Sequence, residues 1–314
     1  MSAAAAIARG ALRVGRIIPL RFAWWLGAVL GDAVGRLPLR DRRRAREHLA
    51  RAFPARGQRW AAHTARRTFR HFGRMALWTL ASAHRDPRRL GRGMVVEGAD
   101  NLRAVRRGLR RGESTVALSG HFGNWELLAR VGCTVAPLTL VGRRLRDPEL
   151  DALVTGLRRG SAGQVIYQDE GARPCLRALR DGRVISTLPD QDIPRLAGTF
   201  ATWFGHPAWT PIGPAQLAIM GRAAVMPVFL FVRGGRYVLH WGPRLRWPDS
   251  GDREADARAI TRWFTAYEEA LVRRHPEQWV WWHKRWRTQP TVPGRAELSS
   301  AIPGAVDQTD DVRD

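Results

Sequence analysis

Between residues 94 and 241 the chain alternates short apolar runs of strand length with segments patterned at the helical period. No other feature restricts the fold as much. Strand-like runs fall at 94–97, 115–118, 138–141, 164–167, 184–188, 225–232 and 237–241. Helix-like segments fall between them at 101–109, 148–158, 172–180 and 214–220. The pattern predicts an α/β fold, a central sheet with helices on both faces. Ligands of such sheets bind beyond the carboxyl ends of the strands. His121, Arg143 and Asp190 each follow a strand-like run, so one crevice can hold all three. Before this region, residues 41–90 read as helix, broken at Pro54. After it, Ile260, Trp263, Phe264, Tyr267 and Leu271 form one helical stripe that Pro276 ends.

The chemistry concentrates in His121-Phe122-Gly123-Asn124-Trp125-Glu126, at a strand-to-helix turn. On one continuous helix, residues five apart point about 140° away from each other. With His121 in the turn and Glu126 in the first helical turn, the two side chains can converge, and Gly120 and Gly123 supply the backbone freedom. A carboxylate on one ring nitrogen leaves the other free as a base for a hydroxyl. Asn124 is placed to cap the following helix and Trp125 to pack on the sheet.

The N-terminus carries a run of nine apolar or small residues, 22–30, with Trp24 and Trp25 adjacent and Arg21 before them. A spanning helix needs roughly 20 apolar residues, and the run lacks the form of a secretory signal. Tryptophans beside arginine suit a membrane interface, so residues 1–40 are expected to associate with a membrane by embedding in it. The small, polar and acidic stretch 294–314 is expected to be disordered.

The chain has 314 residues and a formal net charge of +24, and Lys284 is its only lysine. Such a balance asks for an anionic partner: nucleic acid, an anionic bilayer or an acidic protein. Runs such as Arg42-Arg43-Arg44, Arg106-Arg107 and Arg110-Arg111 are interleaved with apolar residues at helical spacing, and no compact nucleic-acid recognition motif is present. Cys133 and Cys175 fit neither a disulfide framework nor a zinc site, which suits a reducing compartment. There is no phosphate-cradling glycine loop and no nucleophile elbow, and no cofactor is expected.

Several blocks in order resemble the bacterial lipid A lauroyl/myristoyl acyltransferase family, part of the wider glycerolipid acyltransferase superfamily. They are Ala52-Phe53-Pro54, Glu97-Gly98, the His121–Glu126 motif, Val141-Gly142-Arg143 with Asp147-Pro148, and Leu188-Pro189-Asp190-Gln191-Asp192. Further on come 204–210, Gly213-Pro214-Ala215 and the tryptophan-rich 276–286. The match departs at His48-Leu49, where the family usually has asparagine-leucine, and in the high arginine content. The resemblance implies a glycerolipid-acyltransferase-like central sheet flanked by helices, over residues 41–293, with a membrane-associating N-terminal helix. It implies transfer of an acyl chain from acyl carrier protein or acyl-CoA to a hydroxyl of a lipid A precursor or related glycolipid, on the cytoplasmic face of the inner membrane. His121 is then the general base and Glu126 orients it. Arg158 stabilises the oxyanion or grips a phosphate, and Asp190 holds Arg158 or another basic side chain. Asp192 is an alternative to Asp190; Arg143, Asn124 and Asp192 are expected at the substrate. Arg285 and Arg287 read as snorkelling from a tryptophan-rich core. Other acceptors in reach of this chemistry are a lysophospholipid, an ornithine lipid or a phosphatidylinositol mannoside. The same dyad acting on water makes a hydrolase. From a different class, the charge alone suits a basic nucleic-acid-binding protein, although no nucleic acid is expected as partner.

Overall fold

A computed structural model describes residues 2–159, 163–247 and 249–290. Four helices open the chain: α1 (Ala3–Ile17), α2 (Leu20–Val34), α3 (Arg40–Ala52) and α4 (Gly57–Ser82). Then come α5 (Pro87–Arg92), β1 (Val95–Glu97), α6 (Ala99–Arg110), β2 (Thr115–Leu118), α7 (Trp125–Val135), β3 (Leu138–Gly142), α8 (Pro148–Arg159) and β4 (Gln164–Tyr167). The remainder is α9 (Ala172–Arg180), β5 (Val184–Thr187), β6 (Gly198–Trp203), β7 (His206–Pro211), α10 (Gly213–Met220), β8 (Ala224–Arg233), β9 (Arg236–Trp241) and α11 (Arg253–Arg274). The expected α/β class is found: a seven-stranded sheet in the order β1-β9-β8-β2-β5-β3-β4, flanked by helices. Among the described residues of this sheet, only β8 and β9 pair antiparallel.

Both faces of the sheet are covered, which explains the unbroken apolar character of the central strands. Along β8, Val225, Phe229 and Phe231 enter one core, with Phe264 of α11 and Trp279. Met226, Val228 and Leu230 enter the other, with Leu127, Leu128 and Val131 of α7. This is the period of two that a pleated strand imposes.

The hairpin β6–β7 is absent from the expected strands. Pro207 and Pro211 lie within β7 and obscure its strand pattern; a two-stranded ribbon tolerates them because it has free edges. Its turn needs left-handed backbone at both Phe204 (φ 51°) and Gly205 (φ 76°).

The N-terminus forms two helices rather than one. Helix α2 lies so close on α4 that a Cβ at Gly27 would sit 2.4 Å from the Gly73 carbonyl oxygen, and one at Gly31 2.3 Å from that of Phe69. The opposite side of the pair is apolar and exposed, with Ile7, Val14 and Ile17 on α1 and Phe22, Trp25, Val29 and Leu30 on α2. Among the described residues no helix is long and apolar enough to cross a membrane. The tail 294–314 lies outside the described residues.

Candidate active site

Register sets the centre of the site. Strands β2 and β5 are parallel neighbours in which Leu118 pairs with Thr187. His121 and Asp190 each lie three positions beyond those partners, at the carboxyl ends of the strands. The pairing extends past the strands, since the Ser119 amide donates to the Thr187 carbonyl at 2.9 Å. His121 Nδ1 is 2.7 Å from Asp190 Oδ1, and the His121 amide donates to Oδ2 at 2.8 Å. Trp279 Nε1 adds a third donor to Oδ2 at 3.1 Å. Burial pushes the Asp190 carboxyl up, but the His121 interactions, supported by Arg285, outweigh it and leave it below its usual value. An ionised carboxylate only accepts, so Nδ1 carries a proton, and in the neutral ring the lone pair is then on Nε2.

Glu126 does not take the place expected for it beside His121. Its carboxylate makes a bidentate pair with Arg158 of α8, Nε to Oε2 at 2.9 Å and a second nitrogen to Oε1 at 2.6 Å. That pair holds the Arg158 guanidinium above its ordinary pKa. Asp190 in turn does not hold Arg158. The physical reason is geometric: Asp190 emerges from the strand next to His121, whereas Glu126 starts α7, a helix that packs against α8. Trp125 presents an edge to His121, with ring centres 5.1 Å apart.

The turn is shaped by Gly123 and Asn124. Gly123 has φ +61°, and a Cβ there would lie 2.1 Å from the Leu230 carbonyl oxygen. Gly123→Ala is expected to destabilise by roughly 1–3 kcal/mol from backbone conformation alone, with a further cost from displacing β8, and to reduce transfer. Denaturant unfolding and activity on one preparation check both. Asn124 is fully buried. Its Oδ1 accepts from the Leu127 amide at 3.0 Å, capping α7, and its Nδ2 donates to Thr79 and Tyr237. It is a helix cap and not the substrate contact also expected of it, since its polar atoms are engaged inside the protein.

His121, Glu126, Arg143, Arg158 and Asp192 line one cavity of about 570 Å³. Arg143 is exposed at its rim. Asp192 is at the wall, but both its oxygens accept from Thr288, at 2.7 and 2.8 Å. Its amide donates to Nε2 of His283, whose ring burial keeps neutral, with a pKa lowered to about 4. Ala129, Leu140, Ser186 and Leu188 line the main cavity and a small inner apolar one that continues to Val105, Leu128, Met226 and Val228.

Behind the dyad lie three residues that sequence reasoning did not assign to the site: Glu268, Trp279 and Arg285. Arg285 does not snorkel. It is 1% exposed and donates to the Trp209 carbonyl and Thr210 Oγ1 at 2.6 and 2.7 Å. Glu268 on α11 is 1% exposed. Its Oε1 has no hydrogen-bond partner. It faces Gly120, where a Cβ would lie 1.8 Å from that oxygen. Burial, then the adjacent Asp190, raise the Glu268 pKa well above its ordinary value, which favours the neutral carboxyl. A raised folded-state pKa stabilises below the unfolded value and loses that stabilisation as pH rises toward the folded one. Glu268→Gln is thus expected to gain stability over the parent progressively as pH increases above 4.5. Melting temperatures across a pH series check this; a pH-independent difference contradicts it. The helical stripe around Glu268 was the available signal, since a carboxyl on a core face has to be neutral or paired.

A family model described as bacterial lipid A biosynthesis acyltransferase matches residues 3–288. The chain belongs to that family. Among its relatives, the lipid A biosynthesis lauroyltransferase of Escherichia coli (strain K12) is 29% identical over 85% of this chain and 87% of its own. The palmitoleoyltransferase of the same strain is 27% identical over 83% of this chain and 85% of its own. The phosphatidylinositol mannoside acyltransferase of Mycobacterium tuberculosis (strain CDC 1551 / Oshkosh) is 29% identical over 66% of this chain. The chain spans about 64% of the length of that mannoside-modifying relative. Membership of the family agrees with the resemblance carried by the motif blocks.

Proposed function

We propose that this chain is an O-acyltransferase that moves a fatty acyl group from a thioester donor, acyl carrier protein or acyl-CoA, to a hydroxyl of a lipid A precursor or related glycolipid. One observation carries the reading: His121 lines a cavity while Asp190 holds its Nδ1, which leaves Nε2 as the nitrogen free for the chemistry. In this reading Nε2 takes the acceptor hydroxyl's proton as its oxygen attacks the thioester carbonyl. Asp190 fixes the tautomer and stabilises the imidazolium. Arg158, fixed by Glu126, offers its guanidinium to the oxyanion or to an acceptor phosphate. Collapse of the tetrahedral intermediate expels the thiolate, which recovers the proton. The apolar walls of the main cavity at Ala129, Leu140, Val165 and Leu188 suit the acyl chain. Arg143 at the rim suits an anionic part of donor or acceptor.

The exposed apolar side of α1 and α2 supports attachment to a membrane without spanning it, in keeping with the cytoplasmic face of an inner membrane. Each arginine near an anionic bilayer adds ~1 kcal/mol, which the +24 charge supplies in excess. The test combines purified protein, acyl carrier protein loaded with a labelled chain, and the lipid acceptor. The label is expected in the lipid. Free fatty acid released equally with and without acceptor would instead show a hydrolase. Tight, salt-sensitive nucleic-acid binding with no transfer would move the protein to another class.

A further inference from the structure

A second cavity, of about 500 Å³, opens where α2 and α4 meet the Gln278 segment, and none of its lining residues is shared with the His121 cavity. His63, Arg67, Arg70, His71 and Arg74 of α4 recur at spacings of three and four that bring them to one helical face. Glu277 is the sole acid in the wall, 3.6 Å from Arg67. Asp32, whose field reaches Arg70, makes its ion pairs with Arg36 and Arg66. Three guanidiniums thus face one carboxylate. Arg74 stacks over Trp24 at 5.3 Å, and its Nε is buried without a partner. Burial, then Arg70 and Arg67, depress its pKa, as expected where like charges meet without a counterion.

The floor of this cavity identifies the anion. His71 is 7% exposed and its Nε2 has no hydrogen-bond partner. Its other nitrogen bonds the backbone at Gly123, in the motif turn. Burial keeps the ring neutral, with a pKa lowered to about 4. Nε2 is therefore a lone pair set among cationic donors. It cannot face a fully deprotonated anion, but it accepts from a ligand that brings its own acidic proton. A phosphomonoester monoanion has both parts: oxygens for the arginines and a P–OH for Nε2.

We propose that this cavity is a second ligand site that takes a phosphomonoester, with Arg67, Arg70 and Arg74 on the phosphate oxygens and His71 Nε2 accepting the P–OH. Trp24 lines the cavity and neighbours Trp25, 59% exposed on the apolar face of α2, so a lipid headgroup can reach the site from a bilayer surface. The proposal is independent of acyl transfer, because the site is read by binding alone.

The experiment uses the full-length protein in micelles. It titrates sn-glycerol 3-phosphate calorimetrically, with dimethyl phosphate, a diester that has no P–OH, as comparison. In parallel, flotation is measured on phosphatidylcholine vesicles with and without phosphatidic acid. The variants are Arg67→Gln/Arg70→Gln, both on exposed side chains, and Arg110→Gln/Arg111→Gln, which removes equal charge from a different exposed surface. The parent is expected to bind the monoester at least tenfold tighter than the diester. The Arg67/Arg70 variant is expected to lose at least tenfold, while the Arg110/Arg111 variant and His121→Asn bind as the parent does. Binding of the soluble monoester assigns the site to phosphate itself; selective flotation on phosphatidic acid without it assigns the site to a lipid headgroup. Absence of both, equal affinity for the diester, or an equal loss in the two arginine variants overturns the proposal.

Discussion

His121→Asn is expected to lower the rate of acyl transfer by about 10²–10⁴-fold, the contribution of a positioned general base. The protein should stay folded, because the ring is partly exposed in the cavity and is held by its Nδ1 bond to Asp190 and the edge of Trp125. The substitution removes Nε2 without adding bulk. Donor binding is expected to be unchanged, since the cavity walls that would hold an acyl chain belong to other residues. Single-turnover transfer from labelled acyl carrier protein, with melting temperature on the same sample, separates lost chemistry from lost fold. Retention of the parent rate would remove His121 from the chemistry.

Asp190→Asn is the second large effect, expected at about 10²-fold or more in turnover with little change in apparent donor affinity. The carboxylate accepts from three donors, the His121 ring, the His121 amide and Trp279 Nε1. An amide has one accepting oxygen and an NH₂ that donates. Either it faces Nδ1 with its NH₂, forcing the ring proton onto Nε2, or it abandons the backbone amide and Trp279. The first outcome disables the base and is the one that keeps the other two donors satisfied; the second removes the negative charge that stabilises the imidazolium, and an unsatisfied buried donor adds about 1–3 kcal/mol of instability. Glu126→Gln acts differently. It weakens the pair that fixes Arg158 and is expected to slow transfer without touching the imidazole. A double Glu126→Gln/Arg158→Gln variant is then expected to lose little more than Arg158→Gln alone, as residues acting through one contact do.

The sheet was legible because its strands are buried on both faces and show as continuous apolar runs, Val116-Ala117-Leu118 and 225–232 among them. The hairpin β6–β7 was not, because prolines interrupt β7 and its turn depends on a left-handed Phe204 that no composition signal marks. Within the site, the residues were legible and their partners were not. His121, Glu126, Arg158 and Asp190 all reach one region, yet the pairing depends on which strand lies beside β2. The chain order offers β1 or β3 as readily as β8 and β5, the two neighbours that β2 takes; with β5 on one side, Leu118 opposite Thr187 brings His121 to Asp190. Glu126, close in sequence, points to a helix that packs on α7 from elsewhere. Arg285 departs from its expected surface position for a related reason. A cation among tryptophans reads as a surface group, but here the buried Asp190 supplies a counter-charge and main-chain oxygen supplies an acceptor.

The central claim is that Asp190, and not Glu126, sets the tautomer of His121. Nitrogen-15 NMR of histidine-labelled protein, with His121 assigned from its loss in His121→Asn, reads this directly. The account predicts a proton on Nδ1 and a bare Nε2 in the parent, the same pattern in Glu126→Gln, and loss of it in Asp190→Asn. A tautomer that changes in Glu126→Gln and survives in Asp190→Asn would contradict it.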